Sequence, residues 1–418
     1  MRRGVQFPMN ANMRLALVLS ACLATGLSVS CSHSEKRALG YEDEKATVNT
    51  VTGRDVVVPR GWDAKSAAAY LDDREVWWMN WQGAARDHET FCVSCHTVVP
   101  YLLSRPTLRK QLGEEGPTTS ERRLVANVRR RVEMWKDMAP YYDDQDYGPH
   151  KAAESRATEA VLNSFILANE DIEAGKLSDT TRVAFSNMWA LQLTYGEAKG
   201  AWQWQVFDLK PWESRGSQFY GAALAALAVG TAPESYRGTP EIQANLKMLI
   251  DYLKDNANEQ SPLNRVTLLW ASTKLPGLIT SRQEQEIIDE MLAKQQSDGG
   301  WSLSSVALTW RDLNLESLFG KWKRDDGTSQ EVQSDALATG FILFALEEAG
   351  VSRPKIQMKR GLDWLVQHQD RTDGSWMAYS LNKRRVPSSN VGRFMTDAAT
   401  AFTVLALSET NHIDTSTH

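Results

Sequence analysis

One joint, repeated along the chain, limits what this sequence can fold into. In Lys359-Arg-Gly-Leu-Asp-Trp-Leu-Val-Gln-His-Gln-Asp-Arg-Thr-Asp-Gly-Ser-Trp376 an amphipathic helical run ends in glutamine, turns at Asp-Gly and places a tryptophan just past the turn. Ile287-Ile-Asp-Glu-Met-Leu-Ala-Lys-Gln-Gln-Ser-Asp-Gly-Gly-Trp301 repeats it, and Gln192 with Gly200-Ala-Trp202 is a degenerate third copy. Glycine supplies the left-handed backbone that stops a helix. A glutamine near the helix end can bond the backbone of a neighbouring repeat, and the tryptophan can cover the seam. A chain carrying such a fastener several times is built by stacking like units.

A second recurring segment follows each joint. It opens with a small or acidic residue and continues with Ala-rich apolar residues at helical spacing. Copies start at Glu154, Ser217, Ser334 and Thr396, the last two 62 residues apart, and Arg265 to Ser272 lies in a further helical stretch. The pattern predicts helix pairs throughout from about residue 60. With 418 residues, 42% of them hydrophobic, the chain can bury a large core.

These joints resemble the QW motifs of the squalene and oxidosqualene cyclases and the related repeats of prenyltransferase β subunits. The resemblance is fullest over residues 280–410 and extends more weakly back to about residue 60. It implies an all-α fold, an α/α toroid of about five to six helix pairs with an inner ring around a cavity. It also implies an affinity for isoprenoid-like or other apolar small molecules. The motif is structural and names no reaction. The acidic DxDD cluster with which the cyclases protonate their substrates is missing. Asp143-Asp144-Gln145-Asp146 is the nearest acidic run and reads as a surface loop. Asp335 and Asp397 stand near the starts of inner segments and are the remaining catalytic candidates. Both also suit helix capping, which is the ordinary role of aspartate there.

The first 31 residues read as an export signal: Arg2, Arg3 and Arg14, then an apolar stretch from Leu15 to Leu27 too short to span a bilayer. Leu19-Ser20-Ala21-Cys22 and Ser28-Val29-Ser30-Cys31 are rival lipobox sequences, and Cys31 follows the longer apolar run. Residues 32–59 read as a tether. The sequence therefore predicts a periplasmic or other extracytoplasmic protein, held at the membrane by a lipid anchor only. Helical repeats are expected over 60–150 and toroid repeats over 151–412.

Past the signal the chain holds 44 basic and 52 acidic residues, a net charge of −8, which argues against nucleic acid as a partner. The run Arg122, Arg123, Arg129, Arg130, Arg131 reads as a solvated helix face.

Only Cys92 and Cys95 remain in the mature body, in Phe91-Cys-Val-Ser-Cys-His-Thr97. This is the CxxCH pattern that attaches one covalent haem c, two thiols joining the vinyl groups and His96 binding iron from the proximal side. A Cys92–Cys95 disulfide or redox pair, or a zinc site including His96, competes with it. Met138, Met134 and His150 are the candidates for the distal iron ligand. On this basis the chain is expected to be an exported haem protein performing electron transfer or other redox chemistry, with a redox partner. A cyclase-like or prenyltransferase-like enzyme lacking the DxDD acid, and a non-catalytic lipid- or partner-binding toroid, are the alternatives.

Overall fold

The structure is a computed structural model and describes residues 61–309 and 323–408. The expected signal, both lipobox cysteines and the tether lie outside the described residues. Twelve helices carry the fold: α1 (Ala64–Asn80), α2 (Val98–Leu112), α3 (Thr119–Glu133), α4 (Lys151–Glu170), α5 (Asp179–Ala190), α6 (Gln218–Thr231), α7 (Gln243–Asn256), α8 (Pro262–Lys274), α9 (Ser281–Ala293), α10 (Ala336–Glu348), α11 (Ile356–Gln367) and α12 (Phe394–Leu407). The even-numbered helices form a closed ring. Each packs on the next, from α2 through α4, α6, α8 and α10 to α12, which returns to α2. The odd-numbered helices lie outside and pack on them. This is an α/α toroid of six helix pairs.

Composition explains which helices go inside. In α10 every residue from Ala336 to Glu347 is buried, and α12 is buried from Met395 to Ala406. A helix apolar on all sides must be surrounded. The outer helix α9 buries only Ile287, Ile288, Met291 and Leu292, a stripe at i, i+1, i+4 and i+5. Residues 61–150 are not set apart: they supply α1, α2 and α3, and α2 closes the ring between α12 and α4.

All three joints work the same way. Gln192, just past α5, donates to the carbonyls of Gly200 (2.9 Å) and of Asn245 in α7 (3.0 Å). Gln295, just past α9, donates to the carbonyls of Gly299 (2.8 Å) and of Gln357 in α11 (2.7 Å). Gln369, just past α11, donates to the carbonyls of Gly374 (3.0 Å) and Asp63 (2.9 Å), and accepts from the Asp63 amide (2.7 Å). Asp63 is the N-cap of α1, so this third joint ties the last outer helix to the first. The tryptophans turn inward: Trp202, Trp301 and Trp376 are fully buried, and each indole donates to a carbonyl of the outer helix behind it, Met188, Met291 and Leu365.

The glycines have a second role beyond the turn. Gly200, Gly299 and Gly374 have φ of +97°, +102° and +80°, and a methyl group on any of them would overlap the backbone of the next outer helix at Met248, Arg360 or Ser66. The outer helices approach one another because the joint residue has no side chain.

One surface expectation needs correction, at Arg131, and the acidic run at 143–146 is exposed as expected. Arg131 is fully buried, not solvated, and is paired with Glu159 across α3 and α4 (Nε–Oε1 2.5 Å); Arg122, Arg123 and Arg130 are exposed as expected. The 143–146 acidic run is a one-turn helix, Asp144–Tyr147, whose first amides are capped by Asp143.

Candidate functional site

The CxxCH segment lies in the turn that leads into α2. A short hairpin, Ala85–Arg86 paired with Thr90–Phe91, brings the chain back from α1. Asn127 of α3 clamps Phe91 at both amide and carbonyl, and the Trp78 indole donates to the Cys92 carbonyl (2.8 Å). Ser94, between the two cysteines, starts the helix: its hydroxyl accepts from the amides of Thr97 (3.2 Å) and Val98 (3.1 Å). With Ser94 capping the helix, the hydroxyl of Thr97 is left for another partner.

That partner is Asp397. Thr97 Oγ1 donates to Asp397 Oδ2 (2.8 Å) and lies 2.8 Å from Nδ1 of His96. Asp397 also accepts from Tyr70 Oη (2.8 Å) and from Arg74 through Nε (2.7 Å) and Nη2 (3.0 Å). Arg74 continues to the Oδ1 and carbonyl of Asn390 and stacks over Trp77. Three elements of the ring seam, α1, α2 and α12, therefore meet on one buried carboxylate.

The hydrogens can be placed by elimination. The Thr97 hydroxyl has one proton and gives it to Asp397, so the neighbouring Nδ1 must be the donor in its bond to Thr97. Burial among Trp78, Trp212 and Phe394, assisted by the Arg74 charge, pushes the imidazole down to about 3, so the ring is neutral. A neutral ring protonated at Nδ1 leaves Nε2 with its lone pair, and among the described residues the ring's hydrogen bond is the one at Nδ1. The ring face stacks on Phe394 at 4.0 Å.

The thiols are free, buried and neutral. Burial pushes Cys92 up to about 11, with Arg86 opposing, and pushes Cys95 well above the usual thiol range. Burial works against the thiolate form that a dithiol oxidoreductase uses. Among the described residues no group of three or more His, Cys, Asp or Glu is placed to hold a metal ion, which leaves the zinc arrangement without a ligand set. Glu213 lies close enough to both thiols to disfavour their ionisation, and its own carboxyl is raised by burial to about 7.

The donor set fits a c-type haem. Two unpaired thiols stand three residues apart, and the adjacent imidazole is neutral with Nε2 open. Its other nitrogen is held through a hydroxyl by a carboxylate, the outer-shell arrangement that orients ligating histidines.

Met138 is buried against Arg131, whose Nη1 lies 3.8 Å from its sulfur. Met134 caps the end of α3, and His150 is an exposed residue at the start of α4 with φ of +72°. Asp335 is a capping residue, accepting from the amides of Leu337 and Ala338 (3.0 Å each) and of Leu303 (2.5 Å). Asp397 is not a cap, contrary to the ordinary expectation. Arg74, Tyr70 and Thr97 belong to the site without any local pattern that marks them.

Trp212, whose ring centre is 6.5 Å from that of His96, also lines a cleft inside the ring. Tyr220 of α6, Trp270 of α8, Phe341 of α10 and Phe402 of α12 form much of the rest of its wall. The cleft is small, about 20 Å³, and is mainly aromatic and aliphatic. No described helix is long and apolar enough to cross a membrane.

No family model matches the chain, and no curated protein matches it. Solved structures do. A wild-type glycosidase is 13% identical over 82% of this chain and 96% of its own, with a TM-score of 0.44. A glycosyl hydrolase of family 88 from Bacteroides vulgatus is 11% identical over 83% and 90%, with a TM-score of 0.32. Likeness at this level says nothing of the chemistry of this chain.

Proposed function

We propose that this protein is an exported c-type haem protein, lipid-anchored outside the cytoplasm through Cys31 or Cys22, on a toroid of the squalene-cyclase kind. One haem is attached through Cys92 and Cys95, with His96 as the proximal ligand. The observation that carries this reading is the state of His96: a neutral imidazole beside two free thiols, with Nδ1 committed to the Thr97–Asp397 chain and Nε2 open. A haem so held supplies one-electron redox chemistry. The chain's own residues orient the ligand, with Phe394 stacked on the ring and Trp78 against it in an edge contact. A protein redox partner outside is the species exchanging electrons with the haem, while the apolar cleft that Trp212 borders has room for about one water.

The cyclase alternative is less well supported. Asp335 is saturated by three backbone amides and Asp397 by Tyr70, Arg74 and Thr97, so neither stands free to protonate a substrate.

The test is expression of the full chain with haem-maturation machinery, followed by a pyridine haemochrome spectrum and haem staining of a denaturing gel. One covalent haem per chain is expected, and the Cys92→Ala, Cys95→Ala double variant should lose the stain entirely. An unstained parent band would refute the reading.

A further inference from the structure

We infer that Thr97 and Asp397 are positioning residues for His96, and that their chain of hydrogen bonds lowers the reduction potential of iron bound at Nε2. This inference rests on the haem reading above and deepens it.

The argument is geometric. Nδ1 of His96, Oγ1 of Thr97 and Oδ2 of Asp397 form two successive bonds of 2.8 Å, all donated toward the carboxylate. The chain ends on a buried anion, not on a neutral carbonyl. An imidazole whose N–H is polarised by an acceptor tied to a negative charge becomes a stronger electron donor through its other nitrogen, and this favours ferric over ferrous iron. Tyr70 and Arg74 donate to the same carboxylate and temper its charge. The number of donors on Asp397 thus sets how much negative character reaches His96.

A merely structural tie between α1, α2 and α12 would hold the ring together without moving the potential. Opposite substitutions separate the two roles. In the haem-loaded full chain, Thr97→Val keeps the side-chain shape and removes both bonds, so the midpoint in a spectroelectrochemical titration should shift upward. Thr97→Ser restores the hydroxyl and should return the midpoint toward the parent. Tyr70→Phe removes one donor from Asp397 and leaves Thr97 untouched, so it should shift the midpoint downward.

The haemochrome spectrum of each protein reports attachment separately from potential. A parent without covalent haem overturns the haem reading, and this inference with it. A loaded Thr97→Val protein with the parental midpoint, or a shift that serine does not reverse, overturns the positioning role alone. Should Thr97→Val not fold, Tyr70→Phe decides: an unchanged or raised midpoint overturns the role.

Discussion

Asp335 and Asp397 open consecutive inner helices in nearly the same words, Ser-Asp-Ala and Thr-Asp-Ala, yet they have different work. Asp335 precedes α10 as its N-cap, whereas Asp397 lies inside the first turn of α12. The difference lies mainly in where the helix starts: α10 begins just after Asp335, whereas α12 begins at Phe394, after its N-cap Arg393. Each joint tryptophan donates its backbone amide to a threonine on the inner helix: Trp301 to Thr339 (2.9 Å) and Trp376 to Thr400 (3.0 Å). Those threonines are 61 residues apart, the aspartates 62. A one-residue offset turns a side chain by about 100° around a helix. With the earlier start of α12, Asp397 lies a turn inside the helix and meets α1 and α2, where Arg74, Tyr70 and Thr97 receive it. A repeat can thus acquire a functional group by starting its inner helix earlier.

The comparison is broken most severely at Arg74. Arg74→Met leaves Asp397 buried without its counter-charge and should cost about 3–5 kcal/mol in chemical denaturation. A loss below 1 kcal/mol would mean that the two aspartates differ only in name.

Next comes Glu75, the neighbour of Arg74, whose two carboxyl oxygens are buried and without a hydrogen-bond partner. Burial, then the nearby Asp397, holds its pKa well above 4.5. The folded state therefore keeps a proton that the unfolded chain releases near pH 4.5. That stability is fully present below this pH and is lost as pH rises toward the folded-state value. Glu75→Gln has no proton to lose. Its stability relative to the parent should climb between pH 5 and 7, by up to about 1.4 kcal/mol per pH unit. Parallel stability curves for the two proteins would show that Glu75 does not titrate in this way.

The smallest effect belongs to the cap. Asp335→Ala strips three backbone amides of an acceptor at the head of α10 and should cost about 1–2 kcal/mol, with haem content unchanged. A loss of haem in this variant would erase the distinction between a capping and a site aspartate.

The joints were legible because their mechanics are local. Glycine and tryptophan sit two residues apart in every copy, with glutamine four to eight residues before the glycine, and each residue has a mechanical reason: a carbonyl to reach, a backbone to admit, a groove to fill. The cysteines and His96 were legible for the same reason, being contiguous. The rest of the site was not. Arg74 and Tyr70 are 323 and 327 residues from Asp397 along the chain, and only ring closure brings them together. Arg131 was misjudged because charge runs usually face water, and its partner Glu159 lies on another helix, 28 residues on. The close approach at Gly374 was equally hidden, since Ser66 belongs to the opposite end of the fold.

The joint between Gln369 and Asp63 has a consequence for the order in which the molecule comes together. Its two halves are separated by 306 residues, and Thr97 and Asp397 by 300. Contacts so distant in sequence form late, because the loop between them must be closed before they contribute. At synthesis rates of about 5–20 residues per second, the CxxCH loop is made roughly 15–60 s before Asp397 exists. The thiols, buried in the finished ring, thus have an interval of exposure before the seam closes over them. Any chemistry done to Cys92 and Cys95 has its opening in that interval, and closure of the ring then serves as the lock.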